Sequence, residues 1–253
     1  MRFSIEVNYA GSQIQFEGGE QIAEPTIQGE LEKALSTLIK SGTTADNNRP
    51  IKTIFSGRTD KGVNSLGQVV HFDYDKDIVA SKFVYQINEI LPDDISVNNL
   101  RVVPNSFHAQ KSAKSRYYRY EFINRRYKQA FDGDILRVKY EIDVERMQTA
   151  LNFLLGEHDF SSFKSSGTLN PSKVCFITRA EVGKQGDSVF IHIEGNRFLY
   201  NMVRTIVGTL LEMEGHNLPA EHMKDVLEAR DRRKAGRTVS PYGLTLMRVD
   251  YPQ

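Results

Sequence analysis

Two short apolar, β-branched runs, residues 51–55 and 68–72, are separated by a loop carrying Gly57, Gly62 and Gly67. Runs of this kind bounded by glycines read as two strands, so this part of the chain is committed to sheet. The glycines let the backbone turn sharply and let a ligand come close. Between the runs stands Ser56-Gly57-Arg58-Thr59-Asp60-Lys61-Gly62-Val63-Asn64-Ser65-Leu66-Gly67, with Asp60 as the one carboxylate at its centre. Arg58, two residues earlier, is close enough to orient that carboxylate and to favour its charge. An aspartate so placed can act as a nucleophile. The same Asp-x-Gly spelling is also ordinary turn chemistry, because Asp hydrogen-bonds nearby backbone amides. The loop's residues alone leave both readings open.

The remaining alternation points to an α+β protein. Residues 2–9 place Phe3, Ile5, Val7 and Tyr9 on one face, the signature of a half-buried strand. Thr26 is a suitable N-cap for a helix whose Ile27, Leu31, Leu35 and Leu38 repeat at helical spacing. Residues 41–50 read as a polar turn, 80–91 as a second helix and 95–103 as a strand. In residues 116–123, Tyr118, Tyr120 and Phe122 share one strand face, and Tyr117, Arg119 and Glu121 share the other. Asp143 caps a helix expected to run through Leu155. The segment 156–163 reads as a structural turn, and 176–183 with 188–194 as a hairpin. A long apolar helix is expected over 196–211, with Gly215 able to close it and Arg204 as the odd residue set among Met202, Val203, Ile206 and Val207. A charge in that setting needs a partner unless it snorkels to the surface. A further helix over 219–230 and an alternating strand over 243–251 complete the chain. Both halves share a coarse strand–helix–strand order, with the split placed between 1–108 and 109–253.

Composition narrows the class. The chain has 253 residues, 40% apolar and 26% charged, enough for a large core in one or two domains. No stretch approaches the roughly 18 apolar residues of a membrane span. The N-terminal residues alternate like a strand and do not read as a signal peptide. Cys175 is the only cysteine, which rules out an intramolecular disulfide and a Cys-based zinc site; its apolar neighbours read as burial of an inert thiol. A cytoplasmic protein with no membrane association is the expectation. The net charge is +1, but two basic clusters stand out. Lys111, Lys114, Arg116, Arg119, Arg125, Arg126 and Lys128 are opposed only by Glu121, and Arg230, Arg232, Arg233, Lys234 and Arg237 only by Asp231. Such clusters are either a phosphate-backbone track or a solvated face.

Several segments carry a resemblance. GRTDKGV followed by LGQVVHF resembles the signature of the tRNA pseudouridine synthase A family, close to GRTDxGVHAxGQVxHF. The Ile27-Gln28 helix, Phe107-His108-Ala109, the Arg116-Tyr117-Tyr118-Arg119-Tyr120 strand, the segment around His158-Asp159-Phe160, the Met202-Val203-Arg204 helix and Gly243-Leu244 are similar to the same family. The resemblance implies two RRM-like or ferredoxin-like α/β halves in an extended, mostly antiparallel sheet with a central cleft, and a homodimer. It implies isomerisation of uridine to pseudouridine in tRNA, in the anticodon stem-loop at positions 38–40, without cofactor or metal. Asp60 is the implied nucleophile, Arg58 and Arg204 its cationic neighbours, Tyr118 the ring stacked on the target base and Leu244 the side chain packed on it. Lys114, Arg116, Arg125 and Arg126 are the expected RNA contacts. The chain departs from the pattern in three places: Asn64-Ser65 replaces His-Ala, Lys61 replaces Ala, and Phe16-Glu17-Gly18 stands where relatives carry Gly-Trp-Gln. These departures keep an alternative open, a non-catalytic RNA-binding or RNA-folding protein on the same scaffold.

Overall fold

The structure, a computed structural model, describes residues 1–11, 26–40, 51–166 and 172–252. The expected polar turn at 41–50 and the Phe16-Glu17-Gly18 substitution lie outside the described residues. The chain is α+β, with ten strands and five α-helices among the described residues. It divides into two compact units, residues 1–114 with 246–253, and residues 115–245.

The first unit carries β1 (Arg2–Tyr9), α1 (Ile27–Lys40), β2 (Thr53–Phe55), β3 (Asn64–Asp73), α2 (Ala80–Asn88) and β4 (Ile95–Val103). β1 pairs antiparallel with both β3 and β4, and β2 pairs antiparallel with β3. Phe3, Ile5 and Val7 of β1 and Val70 and Phe72 of β3 turn one sheet face inward. There they meet Ile27, Leu31 and Leu35 of α1 and Phe83 and Ile87 of α2. Each such buried side chain contributes roughly 1.5–3 kcal/mol relative to exposure. Thr26 caps α1, its Oγ1 accepting from Gly29 N at 2.9 Å. Glu32 of α1 fixes the start of β2, accepting from Thr53 N and Thr53 Oγ1, both at 2.8 Å.

The second unit carries β5 (Ser115–Asn124), β6 (Arg137–Val138), α3 (Val144–Asn152), β7 (Gly156–Asp159), β8 (Val174–Gln185), β9 (Ser188–Gly195), α4 (Met202–Gly215) and α5 (His222–Ala229). β10 (Leu244–Asp250) begins in this unit and ends in the first. The pairs β5–β9, β8–β9 and β7–β8 are antiparallel and β5–β6 is parallel. Tyr120, Phe122, Ile191 and Ile193 are buried with Met147, Leu151, Ile206 and Leu210 of the helices. Asp143 caps α3 by accepting from Arg146 N at 3.0 Å.

β3, α4 and β7 differ from their expected form. β3 begins at Asn64, earlier than residue 68, because the backbone is already extended at Ser65, whose Oγ accepts from Gly67 N and Gln68 N at 3.2 and 2.9 Å. α4 begins at Met202, not at 196, because Asn201 adopts a left-handed conformation, φ 61°, that a helix cannot run through. Its end is set not by Gly215 but by Asn217, φ 52°, with Leu218 N donating to Met213 O at 2.9 Å, the six-to-one bond of a left-handed C-terminal cap. Residues 156–159 form an edge strand rather than a turn.

Candidate active site

The loop between β2 and β3 is narrower than its glycines imply, residues 56–63, and its backbone is pinned from several sides. Ser56 N donates to Val69 O at 2.8 Å, which extends the β2–β3 ladder by one residue. Gln68 is fully buried and works as the hub beneath the loop. Its Nε2 donates to Gly57 O at 2.8 Å and to the Tyr9 hydroxyl at 3.3 Å, while its Oε1 accepts from Ser56 Oγ. Tyr9 in turn is hydrogen-bonded to Thr59 Oγ1 at 2.8 Å, and burial raises the pKa of its hydroxyl. Thr59 is thereby buried, while its neighbours Arg58 and Asp60 are exposed and half-exposed.

The far side of the loop is clipped to the end of β1. Val63 N donates to Asp60 O at 3.1 Å, closing a turn with Gly62 at φ 85°, and Gly62 N donates to Gly11 O at 2.7 Å. Asn64 Oδ1 accepts from Gly11 N at 2.9 Å. A Cβ on Gly11 would lie 2.1 Å from Val63 O, so this approach admits glycine alone. Asn64, which replaces a histidine of the resembled family, thus has an internal partner in the loop's own scaffold. Among the described residues, chain neighbours aside, no heavy atom lies within 4 Å of where a Cβ on Gly57 would stand. The result is a half-exposed carboxylate, Asp60, on a backbone held by hydrogen bonds from both sides.

In the second unit, Tyr118 lies in β5 opposite Ile193, half-exposed, and meets Phe198 edge-to-face at 5.2 Å and 86°. Arg204 sits in the first turn of α4. Its Nε donates to Val239 O and its Nη1 to Asn201 Oδ1, each at 2.8 Å, which fixes a half-buried guanidinium. The left-handed Asn201 that delays the helix is therefore the residue that holds Arg204. Leu244 is buried and is aimed by a turn, its N–H donating to Pro241 O at 2.8 Å. Gly243 before it lies against β5, and a Cβ there would come within 2.2 Å of Glu121 O. The structure thus brings Arg58 and Asp60 together on one loop of the first unit, and fixes Tyr118, Arg204 and Leu244 within the second.

The expected RNA contacts differ in availability. Lys114 and Arg126 are exposed. Arg116 donates from Nη1 to Asn196 O at 2.8 Å. Arg125 is engaged inside the fold, with Asp132 and, at 2.9 Å, with Asp187. In the second basic cluster, Arg233 chelates Asp231 and holds its carboxyl down to about 2, while Lys234 and Arg237 are exposed. Burial pushes the Cys175 thiol up to about 11, as an inert thiol requires. Among the described residues no three His, Cys, Asp or Glu side chains cluster as a metal site would need, and no helix is long and apolar enough to cross a membrane.

The Tyr9–Thr59–Gln68 network is the part that reading the sequence missed. Its signal was the parity of β3, since Gln68 shares a face with the core residues Val70 and Phe72. A polar residue at a core position has to be hydrogen-bonded.

A family model described as tRNA pseudouridine synthase matches residues 150–252. The tRNA pseudouridine synthase A of Bacillus licheniformis is 39% identical over 253 residues, covering 99% of this chain and 99% of its own. That of Bacillus subtilis is 38% identical over the same shares, and that of Pseudomonas aeruginosa is 37% identical over 99% of this chain and 86% of its own. Among solved structures, a chain of a Cbf5-Nop10-Gar1 complex aligns with 83% of this chain at a TM-score of 0.35 and 11% identity, too weak a likeness to bear on the fold. At that level of identity along its whole length, this chain belongs to the tRNA pseudouridine synthase A family.

Proposed function

We propose that this chain isomerises uridine to pseudouridine in tRNA, that its targets lie in the anticodon stem-loop at positions 38–40, and that Asp60 is the nucleophile. Family membership supports the reaction class. What carries the assignment of the nucleophile is Asp60 itself, a half-exposed carboxylate on a loop pinned by Gln68, Thr59 and Gly11. Such preorganisation keeps a reacting group in place without reordering during the reaction.

The chemistry balances without an external reagent. A uridine is turned out of the RNA stack. The Asp60 carboxylate attacks the nucleotide, at the sugar or at the pyrimidine ring, and the bond from N1 to C1′ breaks. The detached base rotates, a bond from C5 to C1′ forms, the bond between Asp60 and the nucleotide breaks to free the carboxylate, the C5 hydrogen is lost as a proton and N1 gains one. Bonds are exchanged and no net oxidation occurs. Tyr118 supplies a face for the base and Leu244 an apolar contact, with Arg58 and Arg204 as the cations of the site. Lys114, Arg116 and Arg126 are proposed phosphate contacts, and Arg125 acts through the loop it holds. The same reading makes the protein a cytoplasmic homodimer.

Position is tested with unmodified tRNA transcripts carrying a single uridine at 38, 39 or 40. Carbodiimide treatment and primer extension would then map the product. Stops confined to those positions support the assignment; stops elsewhere in the tRNA would retain the reaction and discard the site.

A further inference from the structure

Between β5 and β6 the chain makes an excursion, residues 125–136, that is closed at its neck. Ile123 N donates to Leu136 O at 2.8 Å and Arg125 N to Val138 O at 3.0 Å. Two successive turns shape its far end, with Asp132 N donating to Gln129 O at 3.2 Å and Ile135 N to Asp132 O at 3.4 Å. Gly133, at φ 58°, supplies the left-handed residue. Arg125 locks the interior. Its guanidinium pairs with Asp132 and Asp187, its Nε donates to Tyr127 O at 2.8 Å, and Asp132 also accepts from Gln129 N at 2.8 Å. On this braced loop Phe131 stands 101% exposed at the apex, with Tyr127 68% exposed below it. Arg126 and Lys128 beside them are exposed cations.

We propose that this excursion is an RNA-contact finger, on which Phe131 stacks against a nucleobase of the bound tRNA while Arg126 and Lys128 take flanking phosphates. The inference rests on the tRNA-modifying reading above and adds a substrate-binding element to it. A projecting aromatic ring flanked by cations is the combination that single-stranded nucleic acid recognition uses, because every base offers a π-face and every linkage a charge. Of the three nearby carboxylates, Asp132 and Asp187 are both paired with Arg125, which leaves the exposed Asp134 against the exposed cations Arg126 and Lys128. A protein partner fits less well. A stable interface buries about 800 Å² per side around a core depleted in charge, whereas Phe131 is surrounded in the loop by Lys128, Gln129, Asp132 and Asp134.

The test uses the full chain with Phe131→Ala, Phe131→Trp and the double variant Arg126→Ser/Lys128→Ser. The dissociation constant for an unmodified tRNA transcript is measured by filter binding at several salt concentrations. Tritium release from the same transcript and the sedimentation mass are recorded in parallel. Phe131→Ala should weaken binding about 5- to 20-fold, with kcat within about twofold of wild type; Phe131→Trp should bind like wild type. The double variant should bind with a shallower salt dependence, by about 1.5 in the log–log slope. Wild-type affinity in Phe131→Ala would overturn the finger. So would a changed sedimentation mass whose repair at high protein concentration restores binding, which would assign the apex to a second copy of the chain. Tight tRNA binding by wild type without tritium release would remove the catalytic reading and leave the finger standing or falling on the binding constants alone.

Discussion

At the scale of single residues, several side chains take their roles from what they touch. Gln68 is buried, and it bonds to Gly57, Tyr9 and Ser56 at once. Replacing it by Leu leaves those groups without their partner, at a cost of about 1–3 kcal/mol for an unsatisfied buried polar group. The larger effect is on position, because a displacement of the order of 1 Å at a reacting group costs up to about 100-fold in rate. Gln68→Leu should therefore lower kcat for tritium release about 10- to 100-fold with KM little changed; a wild-type kcat would remove Gln68 from the positioning network. His71 gives a pH prediction. It is 2% exposed, its Nδ1 accepts from Ala109 N at 3.1 Å, and burial, with the charges of Arg2 and His108, lowers its pKa to about 4. A histidine whose native pKa lies below its unfolded value binds fewer protons when folded, so its contribution to stability is full above about pH 6.5 and is lost as the pH falls toward 4. Between pH 7 and pH 5 that loss is about 2 kcal/mol. His71→Asn keeps an acceptor and does not titrate, so urea unfolding at the two pH values should show a smaller loss in the variant; equal losses would contradict the assignment. The Asp60 loop was legible because glycines and a lone carboxylate are local signals. The network beneath it was not, because Tyr9 and Thr59 meet across 50 residues of sequence.

At the scale of elements, periodicity located the strands and helices, while their ends followed contacts that the pattern does not carry. β1 and β4 run where the alternation placed them. α4 starts at Met202 because the preceding asparagine is left-handed, a choice coupled to its bond with Arg204 that no hydrophobic pattern reveals. Arg204 itself was legible as a charge among apolar neighbours. The C-terminal end of α4 is also tied to the start of α3. Glu214, with a side chain only 1% exposed, accepts from Arg146 Nε and Nη2 and from Asp143 N, each at 2.8 Å. Removing one member of a buried pair leaves an uncompensated charge, which costs about 3–5 kcal/mol. Arg146→Met should lose stability in that range in denaturant unfolding, while an unfolding midpoint like that of wild type would show the pair to be idle. Because α4 carries Arg204 in its first turn, Arg146→Met tests whether the far end of the helix can be loosened while activity persists at low temperature.

At the scale of the whole molecule, the chain's net charge of +1 gives little away, and its basic clusters divide into structural and available cations only once their partners are seen. Arg125 and Arg233 pair with carboxylates of the fold, while Lys114, Arg126, Lys128, Lys234 and Arg237 stand exposed. That division was not readable from sequence, since Arg125 lies 62 residues from Asp187. The match to a tRNA pseudouridine synthase A, at 39% identity, extends over 99% of the chain. The central claim is that this loop presents the nucleophile of the reaction. It is tested most directly by tritium release from unmodified tRNA transcripts labelled at C5 of uridine, with wild type, Asp60→Ala and Asp60→Asn compared at equal tRNA occupancy. The account predicts release by wild type and a loss of at least about 1,000-fold in both variants, which corresponds to removing about 4 kcal/mol of transition-state stabilisation, with tRNA affinity and thermal stability near those of wild type. Release by Asp60→Ala within about tenfold of wild type would contradict it, and would place the nucleophile elsewhere in the chain.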